Sequence, residues 1–277
     1  MHESVGEDAE CAVLDQHDDV VEDTVPVEVR DLQVHFNLLE GTVRALNGVD
    51  FDIVRGKSLG VIGESGCGKS TLGLLLMGLE DPTDGSVIFE EQDITHLNDS
   101  ERKGLRRKIQ MVFQDPYESL NPTQTIEEII TEPLIVHGIA SSQQDREERV
   151  RKAMEDAGLK PAEVYLQRYP HELSGGQRQR VVIASALVLE PEIIIADEPV
   201  SMLDVSIRAE VINLLAELRI SRQIAVIFIT HDLGSVGFFA DRVAVMYLGR
   251  IVEIGTMLDV LEKPQHPYTK ALLSVIP

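Results

Sequence analysis

From Val27 the chain alternates apolar and polar residues through VEVRDLQVHF, and again through VDFDIV at 49–54. A period of two predicts strands with one buried and one wet face, the habit of an antiparallel sheet. A different rhythm follows. LGVI at 59–62 is continuously apolar, as a strand buried on both faces is, and leads through a glycine-rich turn into TLGLLLMGL at 71–79, which predicts a helix. Between 121 and 168 two stretches rich in Glu, Gln and Arg, bounded by Pro122, Pro133, Gly158 and Pro161, carry helical spacing and no strand signal. Buried-strand runs resume at IIIAD (193–197), IAVIFIT (224–230), VAVMY (243–247) and IVEI (251–254). The last two flank LGR around Gly249, a hairpin signal, so the sheet is expected to be mixed at one edge. The fold class is α/β: a mixed-sheet core, an N-terminal antiparallel β-subdomain, and an α-helical subdomain inserted at about 117–180.

Composition adds a boundary and several exclusions. Residues 1–30 hold ten acidic side chains against one basic, with neither period present up to about Thr24. Such a segment has little apolar surface to bury, so 1–26 reads as a disordered acidic tail ahead of one domain over 27–277. A net charge of −22 argues against a nucleic-acid backbone as the main partner, because phosphate binding needs clustered Lys and Arg. The longest apolar runs, 181–189 and 224–229, fall well short of the roughly 18 residues that span a bilayer. The opening MHESVGEDAE lacks the basic and apolar regions of a secretory signal, so a cytoplasmic address is expected. Two cysteines, Cys11 and Cys67, leave no disulfide framework and no four-cysteine metal site. The histidines other than His231 show no metal-ligand spacing.

Gly63 to Ser70 reads GESGCGKS, matching G-x-x-x-x-G-K-[ST] between a strand pattern and a helix pattern, the setting that motif requires. Gly63, Gly66 and Gly68 let the backbone curl so that successive N–H groups, with those of Ser65 and Cys67, turn toward a polyphosphate, and the helix adds its positive end. Lys69 can reach the β- and γ-phosphates. Ser70 offers a hydroxyl to Mg²⁺, and Thr71 a further phosphate donor. Taken alone the loop says nucleoside triphosphate, on a P-loop NTPase (RecA-like) core. Cys67 admits two readings: a thiol activated by the helix start and Lys69, or a small residue packed into a tight turn.

IIIADEP at 193–199 delivers Asp197 and Glu198 at the carboxyl end of a buried strand, the edge at which open α/β sheets bind ligands. Asp197 is placed for the Mg²⁺ shell, and Glu198 to orient, or take a proton from, attacking water. LSGGQRQR at 173–180 starts another helix with Ser174, Gly175 and Gly176, a second cluster of free amides suited to an anion.

At LSGGQ the chain resembles the ABC ATPases, and the family's other motifs follow in order over about 27–277: Gln114 in VFQDP, Ser201 to Asp204 (SMLD), and His231 in ITHDL. Met202 stands where the family more often has a small residue. The resemblance implies a head-to-tail pair of ATPase subunits, homo- or heterodimeric, with two ATP molecules between them. Each ATP would contact Lys69 and its loop on one subunit, and Ser174, Gly175, Gly176 and Gln177 on the other. Gln114 would join Mg²⁺ and the attacking water to the helical insertion, His231 would touch the γ-phosphate, and Asp204 would cross the interface. Phe36 fits the place of the family's adenine-stacking aromatic, although an alternating strand also buries phenylalanines. VFQDPYESLNP at 112–122 and PQHPYTKALLSVIP at 264–277 look like ATPases of the oligopeptide, dipeptide and nickel importers. That subfamily implies ATP and Mg²⁺, transmembrane permease subunits whose coupling helix the insertion grips, an extracytoplasmic solute-binding protein acting indirectly, and a peripheral place on the cytoplasmic face of the inner membrane. The alternatives are an ATPase of another importer class, a non-transport ABC ATPase, and a regulatory module that binds ATP without turnover. A basic surface or a second cassette would favour the non-transport class, and loss of the general base the regulatory one; Glu198 and His231 are both present.

Overall fold

The computed structural model describes residues 26–39 and 41–274, so the tail read over 1–26 and Cys11 lie, but for Pro26, outside the described residues. In chain order the strands are β1 (Val27–Leu38), β2 (Gly41–Ile53), β3 (Ser58–Ile62), β4 (Asp84–Phe89), β5 (Gln92–Asp93), β6 (Ile109–Val112), β7 (Ile193–Asp197), β8 (Ala225–Thr230), β9 (Arg242–Tyr247) and β10 (Arg250–Thr256). The helices are α1 (Lys69–Leu76), α2 (Asp99–Lys108), α3 (Pro116–Ser119), α4 (Ile126–His137), α5 (Gln143–Asp156), α6 (Gly175–Leu187), α7 (Val205–Arg222), α8 (Leu233–Phe239), α9 (Met257–Glu262) and α10 (Pro267–Ser274).

The two strand rhythms sort into two sheets. The alternating segments pair antiparallel in the order β2-β1-β4-β5. The continuously apolar ones stack as β10-β9-β3-β8-β7-β6, parallel throughout except for the β9–β10 hairpin at the edge. One buried cluster joins the antiparallel sheet, α1 and one face of the large sheet, through Val29, Leu46, Leu72, Ile195 and Ile227. The other joins the opposite face to the helices, through Ile194, Phe228, Ile130, Met154 and Val211. Strands covered on both faces have no use for alternation, which is why β3, β7 and β8 are apolar at nearly every position.

Several boundaries differ from the sequence reading. Helix α1 starts at Lys69, directly after left-handed Gly68, and ends at Leu76, where Gly78 at φ 61° turns the chain and the Leu79 N–H returns to the Leu74 carbonyl. Strands β4 and β6 were not read: the first is half exposed, and the second is four residues interrupted by Gln110. Pro133, read as a boundary, lies inside α4. A helix-interior proline costs about 3 kcal/mol. Burial of Ile126, Ile129, Ile130 and Leu134 at about 1.5–3 kcal/mol each outweighs it, and the Thr125–Glu128 capping box and left-handed Gly138 hold both ends. From α3 to α6 the chain between β6 and β7 has no strand.

Candidate functional site

Strand β3 ends at the carboxyl edge of the sheet, and the loop beyond it is pressed between β2 and β9. A Cβ on Gly63 would sit 2.2 Å from the Met246 carbonyl oxygen, and one on Gly68 (φ 109°) 2.3 Å from that of Ala45. Glycine is required at both places by contact with backbone that cannot yield. Inside the curl, the buried Lys69 Nζ donates to the carbonyls of Gly63 (2.8 Å) and Glu64 (2.9 Å). Helix α1 begins with no side-chain cap, so its first-turn amides are left for whatever enters the cleft in front of them.

That cleft has a volume of about 1030 Å³. The loop supplies Gly63, Ser65, Gly66, Gly68, Lys69, Ser70 and Thr71 to its wall, and Gln114, Glu198 and His231 join from three other segments. Strand β7 brings the acids. Asp197 is buried at the strand's last position, where desolvation pushes its pKa up, against a Ser70 hydrogen bond and the Lys69 charge; the neighbouring Glu198 carboxylate pushes it further up. Glu198 takes φ 46°, unusual for a side chain of its size, with its N–H bonded to the Ile229 carbonyl at 2.8 Å. The turn sends its carboxylate sideways: one oxygen accepts from Gln114 Nε2 (3.2 Å), and the other lies 2.8 Å from His231 Nδ1. Since a carboxylate oxygen only accepts, Nδ1 carries the proton in this hydrogen bond. His231 itself is 62% exposed and Glu198 only 16%.

The remaining candidates lie apart. Ser174 caps α6, its hydroxyl accepting from the Gln177 N–H (3.3 Å) while its own N–H donates to Gln177 Oε1 (3.0 Å). Neither residue lines the cleft, nor do Gly175 and Gly176. Exposed Asp204 stands at the start of α7, also away from it. Phe36 is likewise absent from the wall, but it pairs across the strands with Val43, which lines it. Cys67 is also absent from the cleft wall. Its side chain is 5% exposed with the sulfur 3.9 Å from Lys69 Nζ, its N–H turns back to the Glu64 carbonyl (3.3 Å), and burial pushes the thiol pKa up against the pull of Lys69. Burial of the sulfur favours the packing role over the activated thiol. Sequence reasoning missed Val43–Ala45, Leu248–Gly249 and Tyr268 on the cleft wall. Only Gly249 carried a local signal, and it pointed to a hairpin.

The ABC transporter family profile matches residues 46–201, from β2 to just past Glu198. The oligopeptide transport ATP-binding protein OppF of Bacillus subtilis is 48% identical over 253 residues, covering 91% of this chain and 82% of that protein. The chain belongs to the ABC transporter family. A second relative, OppF of Salmonella typhimurium, is 49% identical over 262 residues, covering 91% and 78%. Among solved structures, the ATP-binding cassette MJ0796, a dimer in a post-hydrolysis state with ADP and Pi, superposes with a TM-score of 0.75 at 31% identity over 83% of this chain and 98% of that one. CbiO1 of Clostridium perfringens, part of the ABC transporter complex cbiONQ, gives 0.77 at 30% identity over 86% and 91%. This ABC chain is an ATPase on a P-loop α/β core, and among its described residues no helix is long and apolar enough to cross a membrane.

Proposed function

We propose that this ABC ATPase hydrolyses ATP in the cleft at the carboxyl edge of its large sheet, and that hydrolysis drives import of oligopeptides, dipeptides or a related small solute through separate membrane-spanning subunits. The observation that carries the mechanism is the Glu198 carboxylate held at once by His231 and Gln114 beside the phosphate loop. Lys69 and the amides of Gly66, Gly68, Ser70 and Thr71 hold the β- and γ-phosphates. Glu198 orients water and takes its proton as the water oxygen attacks the γ-phosphorus and the bond to ADP breaks. His231 reaches the γ-phosphate only as a donor, through Nε2–H of a ring that carries both protons, with Nδ1–H kept on Glu198. The Ser70 hydroxyl and the buried Asp197 carboxylate are hard-oxygen donors that fit Mg²⁺, and Gln114, on the same cleft wall as Ser70, would be a further ligand. The ion, when bound, neutralises charge on the β- and γ-oxygens.

Ser174, Gly175, Gly176 and Gln177 stand outside their own chain's cleft, which supports a head-to-tail arrangement in which a second ATPase subunit, identical or different, supplies them, with Asp204 at the interface. Phe36, beside Val43, is the candidate adenine platform. Residues 27–277 then form the ATPase domain, with the helical subdomain at about 117–180 gripping the permease from the cytoplasmic face of the membrane. A solute-binding protein on the other face acts only through that permease. Near-50% identity to oligopeptide transport ATP-binding proteins supports peptide as cargo. Two measurements test the reading together: phosphate release by the purified chain, and uptake of labelled oligopeptide by cells with and without it. Hydrolysis with unchanged peptide uptake on deletion removes the peptide assignment, and absence of any ATP-dependent phosphate release removes the enzyme.

A further inference from the structure

The cleft has one wall that none of the roles above uses. Helix α10 packs alongside the phosphate loop and contributes Tyr268, whose ring lies against that of Tyr247 at 4.2 Å between centroids. The helix is anchored at its start, where the Glu253 carboxylate on β10 accepts from the N–H groups of Gln265 (2.7 Å) and His266 (3.0 Å). From there the Tyr268 hydroxyl accepts from the Glu64 N–H at 3.3 Å. That amide belongs to the same peptide unit as the Gly63 carbonyl, which accepts from Lys69 Nζ at 2.8 Å. In a trans peptide the C=O and N–H point in opposite directions, so holding one end fixes where the other aims. The unit joining Gly63 to Glu64 is therefore clamped at both ends: by the ammonium from inside the curl and by the phenol from outside.

We propose that Tyr268 is a positioning residue for ATP binding, holding the 63–64 peptide so that its carbonyl fixes the Lys69 ammonium where the phosphates arrive. Without the hydroxyl this peptide is held from the inside alone, by the ammonium, and the ammonium and the first turn of the loop are less sharply placed. The phenol works through the 63–64 peptide, from a position set by the anchored helix. The inference rests on the reading of this cleft as the ATP site.

Tyr268→Phe keeps the ring and its packing on Tyr247 and removes only the hydroxyl. Loss of one neutral hydrogen bond that matters for binding is expected to raise KM for MgATP, and Kd for a fluorescent ATP analogue, by about threefold to tenfold. Melting temperature and kcat should change little. Tyr268→Ala should raise both constants further, and Lys69→Ala, measured alongside, should abolish most binding. KM and Kd equal to those of the unaltered chain in Tyr268→Phe would overturn the proposal. So would a loss of kcat together with melting temperature at unchanged KM, because that pattern marks a residue that only stabilises the fold. If Lys69→Ala binds nucleotide as well as the unaltered chain does, the ATP-site reading itself falls, and the role of Tyr268 with it.

Discussion

Two helices of this molecule begin with glycine-rich loops, and they begin differently. At α1 the N-cap is left-handed Gly68 with no capping side chain, and the first-turn amides lie on the wall of the cleft. At α6 the N-cap is Ser174, which forms a reciprocal capping box with Gln177, and no residue of this turn reaches the cleft. Both ends carry the partial positive charge of a helix start. One is finished as an anion site within its own chain. The other ties up the Ser174 and Gln177 amides in its own cap, and in the proposed head-to-tail arrangement it would exchange those bonds for a ligand on another chain. Similar local sequence thus meets a cleft wall in one place and not in the other, and on the proposed reading α6 is a conditional site; the deciding factor is whether tertiary structure builds a concave wall around the helix start.

The sharpest way to break this comparison is to stop the chemistry after the two starts have met. Glu198→Gln is expected to bind MgATP normally and to lower turnover by about 10²–10⁴. It should accumulate as an ATP-bound dimer in gel filtration, with this chain alone or with the second ATPase chain added. A variant that stays monomeric with both partners at saturating ATP would remove the conditional site. The next effect separates capping from anion binding at α6. Ser174→Ala should cost about 1 kcal/mol, a fall of about 2–4 °C in melting temperature for a domain of this size. Ser174→Asp restores the cap and with it the melting temperature, but its carboxylate occupies the anion position, so ATP-dependent dimer and turnover should both be lost.

The smallest expected effect lies at the root of β3, remote from either helix start. There burial pushes the Asp241 pKa up, but the Ser58 amide and hydroxyl and the Arg219 guanidinium outweigh it and hold the group below its ordinary value. A depressed carboxylate pKa contributes stability that is complete above the ordinary value and disappears as pH falls through the folded one. Asp241→Asn should therefore lower stability at pH 7 by at most on the order of 1 kcal/mol, read as a fall in melting temperature, since the group is partly exposed and screened. The gap to the unaltered chain should close on acidification through the carboxylate range. KM for ATP should not move, and a parallel rise in KM would mean that the root of β3 sets the geometry of its tip.

The strands of the large sheet were legible because burial on both faces imposes continuous apolarity, visible at 59–62, 193–197, 224–230 and 243–247. Strand β6 was not: four residues with Gln110 among them leave too little pattern. Helix α4 shows the limit of proline as punctuation, since burial and two good caps override it at Pro133. At the site, the phosphate loop and the Asp197–Glu198 pair could be read from local chemistry, because spacing and strand context constrain them. Gln114 and His231 carry no such local mark, and only resemblance to a family drew them in; their meeting on Glu198 is a product of strand order. Tyr268 had no signal at all. A tyrosine some 200 residues from the loop it braces becomes visible only when α10 is seen beside that loop.

The strand order has a consequence for how the chain is made. Strand β3, which carries the phosphate loop, is paired on one side with β8 and on the other with β9, both from the last fifth of the sequence. During synthesis at about 5–20 residues per second, β3 leaves the ribosome on the order of ten seconds before either neighbour exists. The glycine loop therefore has β2 on one side but no β9 on the other to press Gly63 into place, and the nascent chain holds a complete GESGCGKS sequence without a finished site. Nucleotide can assist only the last stage of folding, once β9 has emerged and docked. A ribosome-bound chain ending short of Tyr247 is expected to be blind to ATP, and misfolding during that interval is a risk that nucleotide in the cell does nothing to reduce.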